Sequence, residues 1–438
     1  MATKREVCFG RIGERNDTAM LKLFNSLGKK LEPFQPVKRN LVTLFTCGPS
    51  VYQRAHIGNF RTFLFEDILV RYLEYSGYPV KRGMNFTDVE DKAIQEADAR
   101  NTGLKTLTDE NIDSFVQEMK LLRMKIPDYL VRASEAIDQS VEIIEQLLSL
   151  KIAYWYRGNV YFDSLKFPGF GKLFGLDMSK WPTKKRRFHK DTYPGLNWNL
   201  GDFILWHGCK QGDITCWDTK IGRGRPSWNI QDPSMVSKRF SETLSIYCGG
   251  FDNLFRHHDY SIAILESVRP YPMARFWLHC YHLVVNGKKM SKSRGNIIYA
   301  DTLLDQGYDM DQIRFFLIYG HYRKKLNYSE HAMRLAADKL KTFREMRRAL
   351  EGKTDQNAEA NVDENAVAKV KEVFAERMDD NLDVKGAFNA LHEFLAAADI
   401  KELAPSVASG YLKGLKGMDQ VLQVLFEDHS TPRKEKRG

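Results

Sequence analysis

The sequence has few cysteines and no long apolar run. Its 438 residues include six cysteines, and no two of them form a Cys-x-x-Cys pair. We therefore expect reduced thiols rather than a disulfide framework. No stretch approaches the roughly 18 apolar residues that a membrane span needs, and the first residues lack the apolar core of a signal peptide. These absences predict a cytoplasmic protein that does not bind membranes. Nothing in the sequence requires a dimer, so we expect a monomer.

The charge balance of the chain is basic. Its 66 lysines and arginines exceed its 56 acidic residues, which gives a formal net charge of +10. This excess fits a polyanionic partner such as RNA or a nucleotide, although many soluble proteins reach it without one. The run Lys184-Lys185-Arg186-Arg187 concentrates part of the charge. It is either a solvated surface or an RNA contact.

The first hundred residues have the pattern of an α/β fold. A mostly apolar run at 41–47 predicts a buried strand, and Gly48-Pro49-Ser50 ends it. A helical pattern follows from about 56 to 75, and a second strand is predicted at 80–85. This strand–turn–helix–strand order is typical of the opening of a nucleotide-binding parallel sheet.

The remaining chain is irregular in the middle and helical at its end. Residues 109–151 have a helical pattern, whereas 152–225 are irregular and rich in Gly, Trp and Tyr. The last hundred residues predict helices at 331–351, 365–378, 384–398 and 410–425. Short breaks separate these helices, which indicates an antiparallel bundle.

The first motif that carries chemistry is His56-Ile57-Gly58-Asn59. A spacing of three residues at a helix start places His56 and Asn59 on one face of the first turn. The free N–H groups and positive potential of a helix N-terminus suit a phosphate, and Gly58 permits close approach. The alternative is that both side chains form an ordinary polar helix cap.

The second motif is Lys289-Met290-Ser291-Lys292-Ser293, which follows Asn286-Gly287. The glycine and the serines suit a flexible loop that closes over a ligand. Lysines on such a loop stabilise the negative charge that develops on phosphate oxygens in a transition state. The alternative is that the lysines are surface charges on a loop.

The two motifs, in this order and about 230 residues apart, resemble the signature pair of class I aminoacyl-tRNA synthetases. Other stretches narrow the resemblance to the cysteinyl-tRNA synthetase family, from about residue 41 to 425. They are Cys47-Gly48-Pro49-Ser50-Val51-Tyr52, Asn85-Phe86-Thr87-Asp88-Val89-Glu90-Asp91-Lys92, Gly224-Arg225-Pro226-Ser227-Trp228-Asn229-Ile230, Gly249-Gly250-Phe251-Asp252, His257-His258, Tyr319-Gly320-His321-Tyr322-Arg323 and Met378-Asp379-Asp380-Asn381.

This resemblance implies an α/β fold, with a Rossmann-type parallel-sheet catalytic domain that is split by an insertion and followed by an α-helical bundle. The corresponding divisions are an N-terminal extension (1–40), the first half of the catalytic domain (41–120), a connective insertion (121–225), the second half with the lysine loop (226–332), the bundle (333–428) and a disordered basic tail (429–438).

The resemblance also implies a ligase that uses ATP and Mg²⁺ to form an aminoacyl-adenylate. The catalytic residues would be His56, Asn59, Lys289 and Lys292. The residues that bind ATP or the adenylate would be Gly48, Gly58, Gly250, Asp252, Met290, Ser291 and Ser293. The amino-acid pocket would comprise Cys47, Tyr52, Thr87, Trp228, Asp232, His257 and Ser261.

The chain departs from the family at the zinc ion that binds the cysteine thiolate. The family's ligands are two cysteines, a histidine and a glutamate, and they map to Cys47, Asp232, His257 and Ser261. Two of the four are changed, so we expect Cys47, Asp232 and His257 to form a weaker and less thiophilic zinc site than the family's, and serine is a poor fourth ligand. If no zinc is bound, we expect Asp232 to attract an amine or a hydroxyl group of the substrate rather than a thiol. We therefore expect an amino acid other than cysteine, small and polar or cationic.

The acceptor of the acyl group stays open between two classes. Family members continue into a small domain that reads the anticodon, and this sequence lacks that segment, so we expect a divergent paralogue without anticodon checking. The basic charge favours tRNA or another RNA. The altered pocket and the short end favour a small-molecule amine, as in the cysteine ligase of mycothiol synthesis. A third reading is a non-catalytic paralogue that binds or regulates a partner.

Overall fold

The computed structural model describes residues 20–177, 202–354 and 362–426. The run Lys184-Lys185-Arg186-Arg187 and the predicted tail at 429–438 lie outside these described residues. In chain order the strands are β1 (Lys22–Asn25), β2 (Lys30–Pro33), β3 (Val42–Thr46), β4 (Val80–Phe86), β5 (Tyr129–Arg132), β6 (Ala153–Tyr156), β7 (Asn159–Phe162), β8 (Phe203–Gly208), β9 (Gly224–Pro226), β10 (Leu244–Gly250), β11 (Ala274–Cys280), β12 (Leu283–Val285), β13 (Lys288–Lys289) and β14 (Leu326–Tyr328).

The helices pack on both faces of the main sheet and form the C-terminal bundle. They are α1 (Ile57–Tyr75), α2 (Asp91–Ala99), α3 (Leu104–Leu121), α4 (Ile137–Ser149), α5 (Trp228–Arg239), α6 (Tyr260–Val268), α7 (Ala300–Asp305), α8 (Met310–Ile318), α9 (Glu330–Glu351), α10 (Glu364–Met378), α11 (Val384–Ala397) and α12 (Pro405–Leu422). Among the described residues, no helix combines the length and the apolar character that a membrane crossing requires.

The main sheet has five parallel strands in the order β11-β10-β3-β4-β5. The chain runs from β3 outward to β5 and later returns on the other side of β3 to form β10 and β11. The direction of winding therefore reverses between β3 and β10. Ligands of such sheets bind outside the carboxyl ends of the strands at this switch point. The predicted α/β fold with a parallel sheet is confirmed.

The edge strand β5 differs from the prediction. Residues 109–151 have a continuous helical pattern, but in the structure β5 separates α3 from α4 and pairs with β4. The predicted boundary at 120 assigns β5 to the insertion, whereas its pairing makes it part of the main sheet. The reason is tertiary, because a strand of four residues carries too little periodicity to interrupt a helical pattern.

The insertion forms a separate antiparallel sheet in the order β6-β7-β8-β9. Aromatic side chains fill its inner face, and the Phe203 ring stacks on Tyr260 of α6 with ring centroids 4.0 Å apart. Between β8 and β9, Cys209 and Cys216 form a disulfide with Cα atoms 6.4 Å apart. The prediction that the cysteines are free thiols is wrong for this pair. Two cysteines seven residues apart meet because the β8–β9 connection folds back on itself.

The N-terminal hairpin packs on the main sheet rather than standing apart from it. Strands β1 and β2 pair with each other, and the Leu23 and Phe34 side chains are buried. The Ser26 amide donates to the Trp277 carbonyl of β11 at 2.8 Å. Residues 1–40, predicted as an extension, therefore include a segment that is part of the hydrophobic core.

Two glycines of α12 show how tightly the bundle packs. A Cβ atom at Gly414 would lie 2.7 Å from Val370 Cβ of α10, whereas nothing lies within 4 Å of a Cβ at Gly417. We expect Gly414→Ala to lower the free energy of unfolding by about 1–3 kcal/mol through overpacking. Gly417→Ala, its control, should raise it by about 0.5–1 kcal/mol because alanine loses less backbone entropy. Urea unfolding measures both, and equal effects would contradict this packing.

Candidate active site

A cavity of about 250 Å³ opens at the switch point of the main sheet. It brings together residues from both motifs and from the ends of β3 and β10. The predicted site residues that line it are Cys47, Gly48, His56, Gly58, Asn59, Gly250, Asp252, Lys289 and Met290.

Gly48 lies where the chain leaves β3 and crosses the end of β4. Its amide donates to Asn85 Oδ1 at 2.6 Å. A Cβ atom at this position would lie 1.9 Å from the Asn85 carbonyl oxygen, so only glycine fits here. The close crossing brings the residues that follow β3 next to those that follow β4.

The histidine motif forms the N-terminus of α1 as a capping box. The Asn59 amide donates to His56 Nδ1 at 3.3 Å, and the His56 amide donates to Asn59 Oδ1 at 3.0 Å. Burial lowers the pKa of His56, so the ring is neutral at pH 7. Because Nδ1 accepts a hydrogen bond, the ring proton resides on Nε2. His56 can therefore cap the helix through Nδ1 and still donate a hydrogen bond to a ligand through Nε2.

The lysine motif lies directly against the histidine motif. A Cβ atom at Gly58 would lie 2.4 Å from Met290 Cε, so the glycine provides the space that the methionine side chain occupies. The loop after Met290 folds on itself, because Arg294 Nη1 donates to the Lys289 carbonyl at 3.1 Å and the Ser291 amide to Asn296 Oδ1 at 2.9 Å. Two motifs far apart in sequence thus share one cavity wall.

Asp252 faces the same cavity from the end of β10. Its side chain is 53% exposed, and Oδ1 lies 3.8 Å from His282 Nε2. Next to it, the Phe251 ring stacks on Tyr281 with centroids 4.2 Å apart. The carboxylate therefore has acceptor capacity left for a ligand, such as a pair of hydroxyl groups.

A larger cavity of about 700 Å³ adjoins the first and shares Cys47, Asp252 and Lys289 with it. Of the predicted amino-acid pocket, Thr87, Trp228 and His257 also line this cavity. The Trp228 and His257 rings stack with centroids 5.2 Å apart.

Glu90 lines the larger cavity too, and the sequence interpretation did not include it in the site. It follows β4 and accepts a hydrogen bond from Ser50 Oγ at 2.6 Å. It belongs to the stretch 85–92 that carries the family resemblance, but its place beside the cavity depends on β3 and β4 being neighbours.

Asp232 lies behind the cavities rather than in their walls. It is fully buried, and its oxygens accept hydrogen bonds from Asn85 at 2.7 Å and from the Tyr247 hydroxyl at 2.6 Å. His257 Nε2 lies 2.8 Å from the same carboxylate. The expectation that Asp232 attracts a substrate amine is therefore wrong, because its oxygens already have protein partners.

The predicted metal ligands do converge. Cys47 Sγ lies 3.4 Å from His257 Nε2 and 3.9 Å from Asp232 Oδ2. Ser261 does not join them, because its hydroxyl donates to the His257 carbonyl at 2.9 Å. A fourth side chain that the sequence interpretation left out, His258, completes the group.

Three other predicted residues, Tyr52, Ser291 and Ser293, do not line either cavity. Tyr52 accepts a hydrogen bond from Gln53 at 2.9 Å and has the Lys92 ammonium over its ring. The Ser291 and Ser293 hydroxyls lie 3.3 Å from each other on the loop. Lys292 lies in a short 3-10 turn, Lys292–Arg294. The roles assigned to these residues stay predictions.

Comparison with known proteins identifies the family. A family model described as tRNA synthetases class I (C) catalytic domain matches residues 33–338. The cysteine--tRNA ligase of Solibacter usitatus (strain Ellin6076) is 35% identical over 409 residues, which cover 92% of this chain and 87% of that protein. The cysteine--tRNA ligase of Chlamydia pneumoniae is 36% identical over 414 residues, which cover 92% of this chain and 86% of the relative.

Solved structures show the same fold at low sequence identity. Methionyl-tRNA synthetase of Mycobacterium tuberculosis, in complex with methionyl-adenylate, has a TM-score of 0.59 at 15% identity and covers 88% of this chain and 90% of its own. The leucyl enzyme agnB2 LeuRS of Agrobacterium radiobacter K84, solved as a ternary complex, has a TM-score of 0.61 at 12% identity and covers 90% of this chain and 85% of its own.

The fold and these similarities define a ligase of the class I aminoacyl-tRNA synthetase type. Within that class, the chain belongs to the cysteinyl-tRNA synthetase family. The resemblance inferred from the motifs is confirmed.

Proposed function

We propose that this protein activates an amino acid with ATP and Mg²⁺ as an aminoacyl-adenylate and transfers the acyl group to an acceptor. The observation that carries the proposal is the contact between the two motifs, in which Met290 fills the space at Gly58. His56, Asn59 and Lys289 then face one cavity with Asp252. The ribose hydroxyls of ATP bind Asp252, and its phosphates lie at the start of α1 under the lysine loop.

The groups at this cavity suit attack of a carboxylate on the α-phosphorus of ATP. A bond forms between the carboxylate oxygen and phosphorus while pyrophosphate leaves. The neutral His56 ring donates through Nε2, and Lys289 with Lys292 supplies positive charge where the phosphate oxygens become more negative. Donors that are already in place stabilise the transition state without further reorganisation.

We propose that the amino acid binds in the larger cavity beside Cys47, between Thr87, Trp228 and His257. The buried Glu90 carboxylate and Asp252 give this cavity two acceptors for an ammonium group. The relatives are cysteine ligases by name, but Asp232 and Ser261 replace the residues that complete the family's thiolate-binding site. The loss of this thiolate-binding site favours an amino acid other than cysteine, and the Glu90 and Asp252 carboxylates favour one that is small and polar or cationic.

The acceptor that we favour is RNA. The net charge of +10 supports a polyanionic partner, and the relatives are tRNA ligases by name. Labelled amino acid transferred to total tRNA would support RNA, whereas transfer only to added small-molecule amines would contradict it and favour the second acceptor class.

ATP–pyrophosphate exchange with a panel of amino acids tests the activation step. We expect exchange with one polar or cationic amino acid and little with cysteine. Exchange with cysteine alone would contradict the proposed substrate class but support the activation step. A protein that exchanges with no amino acid, with or without tRNA, would contradict the proposed function and favour a non-catalytic role.

A further inference from the structure

Four donor groups from three segments of the chain meet at the inner wall of the larger cavity, and all but the partly exposed His257 are buried. They are the Cys47 thiol after β3, the Asp232 carboxylate in α5, and the imidazoles of His257 and His258. One ligand atom from each lies within 4.8 Å of all the others. His257 and His258 are neighbours in a π-helical turn, Leu254–Asp259, which directs both rings toward the same space.

His258 has a ring nitrogen with nothing to bond to. The side chain is completely buried, and Nε2 has no hydrogen-bond partner among the residues that the structure describes. Its other nitrogen, Nδ1, lies 2.8 Å from His279 Nε2, and His279 Nδ1 lies 2.8 Å from Ser26 Oγ. When each ring donates outward through its Nδ1–H, His258 Nε2 keeps its lone pair.

An unpartnered buried acceptor is costly. Such an acceptor loses the hydrogen bond that water gives it in the unfolded chain. The hydrogen bond between His258 Nδ1 and His279 nevertheless holds the ring in the orientation that leaves Nε2 unpaired. Gly249 keeps the near side open, because a Cβ atom there would lie 3.0 Å from His258 Nε2 and 3.2 Å from Cys47 Cβ. The arrangement suits a positive ion at Nε2.

The groups around the cluster resemble the outer partners that orient metal ligands. Asn85 donates to Asp232 Oδ1 and Tyr247 to Oδ2 at 2.7 and 2.6 Å, which fixes the carboxylate plane. The His279 ring fixes the orientation of the His258 ring through the contact between His279 Nε2 and His258 Nδ1. Such partners set the orientation and basicity of the ligands in metal sites.

The distance between Cys47 Sγ and His257 Nε2 fits a tetrahedral ion of the size of zinc, whereas the 3.9 Å between Cys47 Sγ and Asp232 Oδ2 has to shorten when the ion enters. Nitrogen and sulfur ligands about 2.0–2.3 Å from zinc lie about 3.3–3.6 Å from each other. Cys47 Sγ and His257 Nε2 are 3.4 Å apart. The separation of 2.8 Å between His257 and Asp232 is that of a hydrogen bond, and it has to widen by about half an ångström when the ion enters.

We propose that Cys47, Asp232, His257 and His258 form a closed zinc site in which His258, not Ser261, is the fourth ligand. One sulfur, one oxygen and two nitrogen donors in tetrahedral arrangement select zinc among the common divalent ions. Four protein ligands leave no open position, so the ion is structural and joins α5 to the end of β3. It does not bind a substrate thiol.

Zinc content and two matched variants test the choice of ligand. We expect about one zinc per chain in protein purified with zinc and dialysed against buffer. His258→Gln should bind zinc at least about tenfold more weakly, whereas Ser261→Ala should retain it. Wild-type protein without zinc would overturn the proposal, as would loss of zinc in Ser261→Ala with retention in His258→Gln.

Cobalt gives a second readout that needs no variant. We expect Co²⁺ added to the zinc-free protein to give the intense visible bands of a four-coordinate ion and a thiolate charge-transfer band. Added cysteine should leave this spectrum unchanged, because no coordination position is open. A spectrum of higher coordination number, or one that changes with cysteine, would overturn the closed site.

The metal site stands independently of the proposed function. Zinc content and the cobalt spectrum do not depend on ATP, and pyrophosphate exchange is measured separately. Protein that binds zinc but shows no exchange would support the zinc site and contradict the activation step. Protein that shows exchange but binds no zinc would support the activation step and contradict the zinc site.

Discussion

Replacing Lys289 with methionine is expected to lower the rate of ATP–pyrophosphate exchange by about 10²–10³-fold, the effect of removing one donor to a developing negative charge. Lys289 lies where β13 ends and lines both cavities. Methionine keeps most of the length of the side chain and removes its charge. An interaction made mainly in the transition state should lower kcat and kcat/KM equally and leave KM for ATP almost unchanged.

Lys288 is the matched control for this variant. It precedes Lys289 on the same short strand and is also exposed, but it lines neither cavity. Consecutive residues of a strand point to opposite faces, so Lys288→Met should exchange at the wild-type rate. Equal losses in both variants would mean that the loop is disturbed as a whole and that the Lys289 charge has no specific role.

Most of the fold follows from local patterns in the sequence. Helix α1 is predicted at 56–75 and observed at Ile57–Tyr75, because its apolar positions repeat with helical periodicity. The last bundle helix is predicted from 410 but begins at Pro405. Proline is favoured in the first turn of a helix. The helix was predicted from its apolar pattern, which starts only after Pro405, so the predicted start is too late.

The site, like the fold, is predicted only in part. Each of the two motifs is a short continuous stretch of sequence, and the family resemblance predicts that they meet. His258, Asn85, Tyr247 and Glu90 take their places through tertiary structure, since three strands have to be adjacent before these side chains meet. The local signals were the stretch 85–92 and the tandem His257-His258. They indicated the family and one histidine ligand, but not that Asn85, Glu90 and His258 belong to the site.

The largest expected effect on stability is at Arg314 of α8. Its side chain is completely buried and donates to three parts of the chain: Asp67 of α1 at 2.7 Å, the Leu122 carbonyl after α3 at 2.6 Å and the Leu422 carbonyl of α12 at 2.8 Å. One guanidinium thus joins the catalytic sheet's central helix to the last helix of the bundle.

Arg314→Met should lower the free energy of unfolding by about 3–5 kcal/mol, the cost of removing one partner of a buried ion pair. Methionine replaces the apolar stem, so the loss arises chiefly from polar groups that keep no partner. Two carbonyls lose their donor, while Asp67 retains Arg71 at 3.0 Å and the Lys125 amide at 2.8 Å. This remaining compensation places the expected value toward the lower end of the range.

Urea unfolding of Arg314→Met beside Lys369→Met separates a buried pair from an exposed one. Lys369 pairs with Glu372 at 2.8 Å on the surface of α10, with 54% and 67% of the side chains exposed. Solvent screens such a pair, so its loss should leave the urea midpoint almost unchanged. If Arg314→Met unfolds at the same urea concentration as the control, Arg314 does not join the sheet to the bundle. If it instead unfolds in two steps, Arg314 is what makes the two halves unfold together, because without it α12 separates from α1 before the sheet opens.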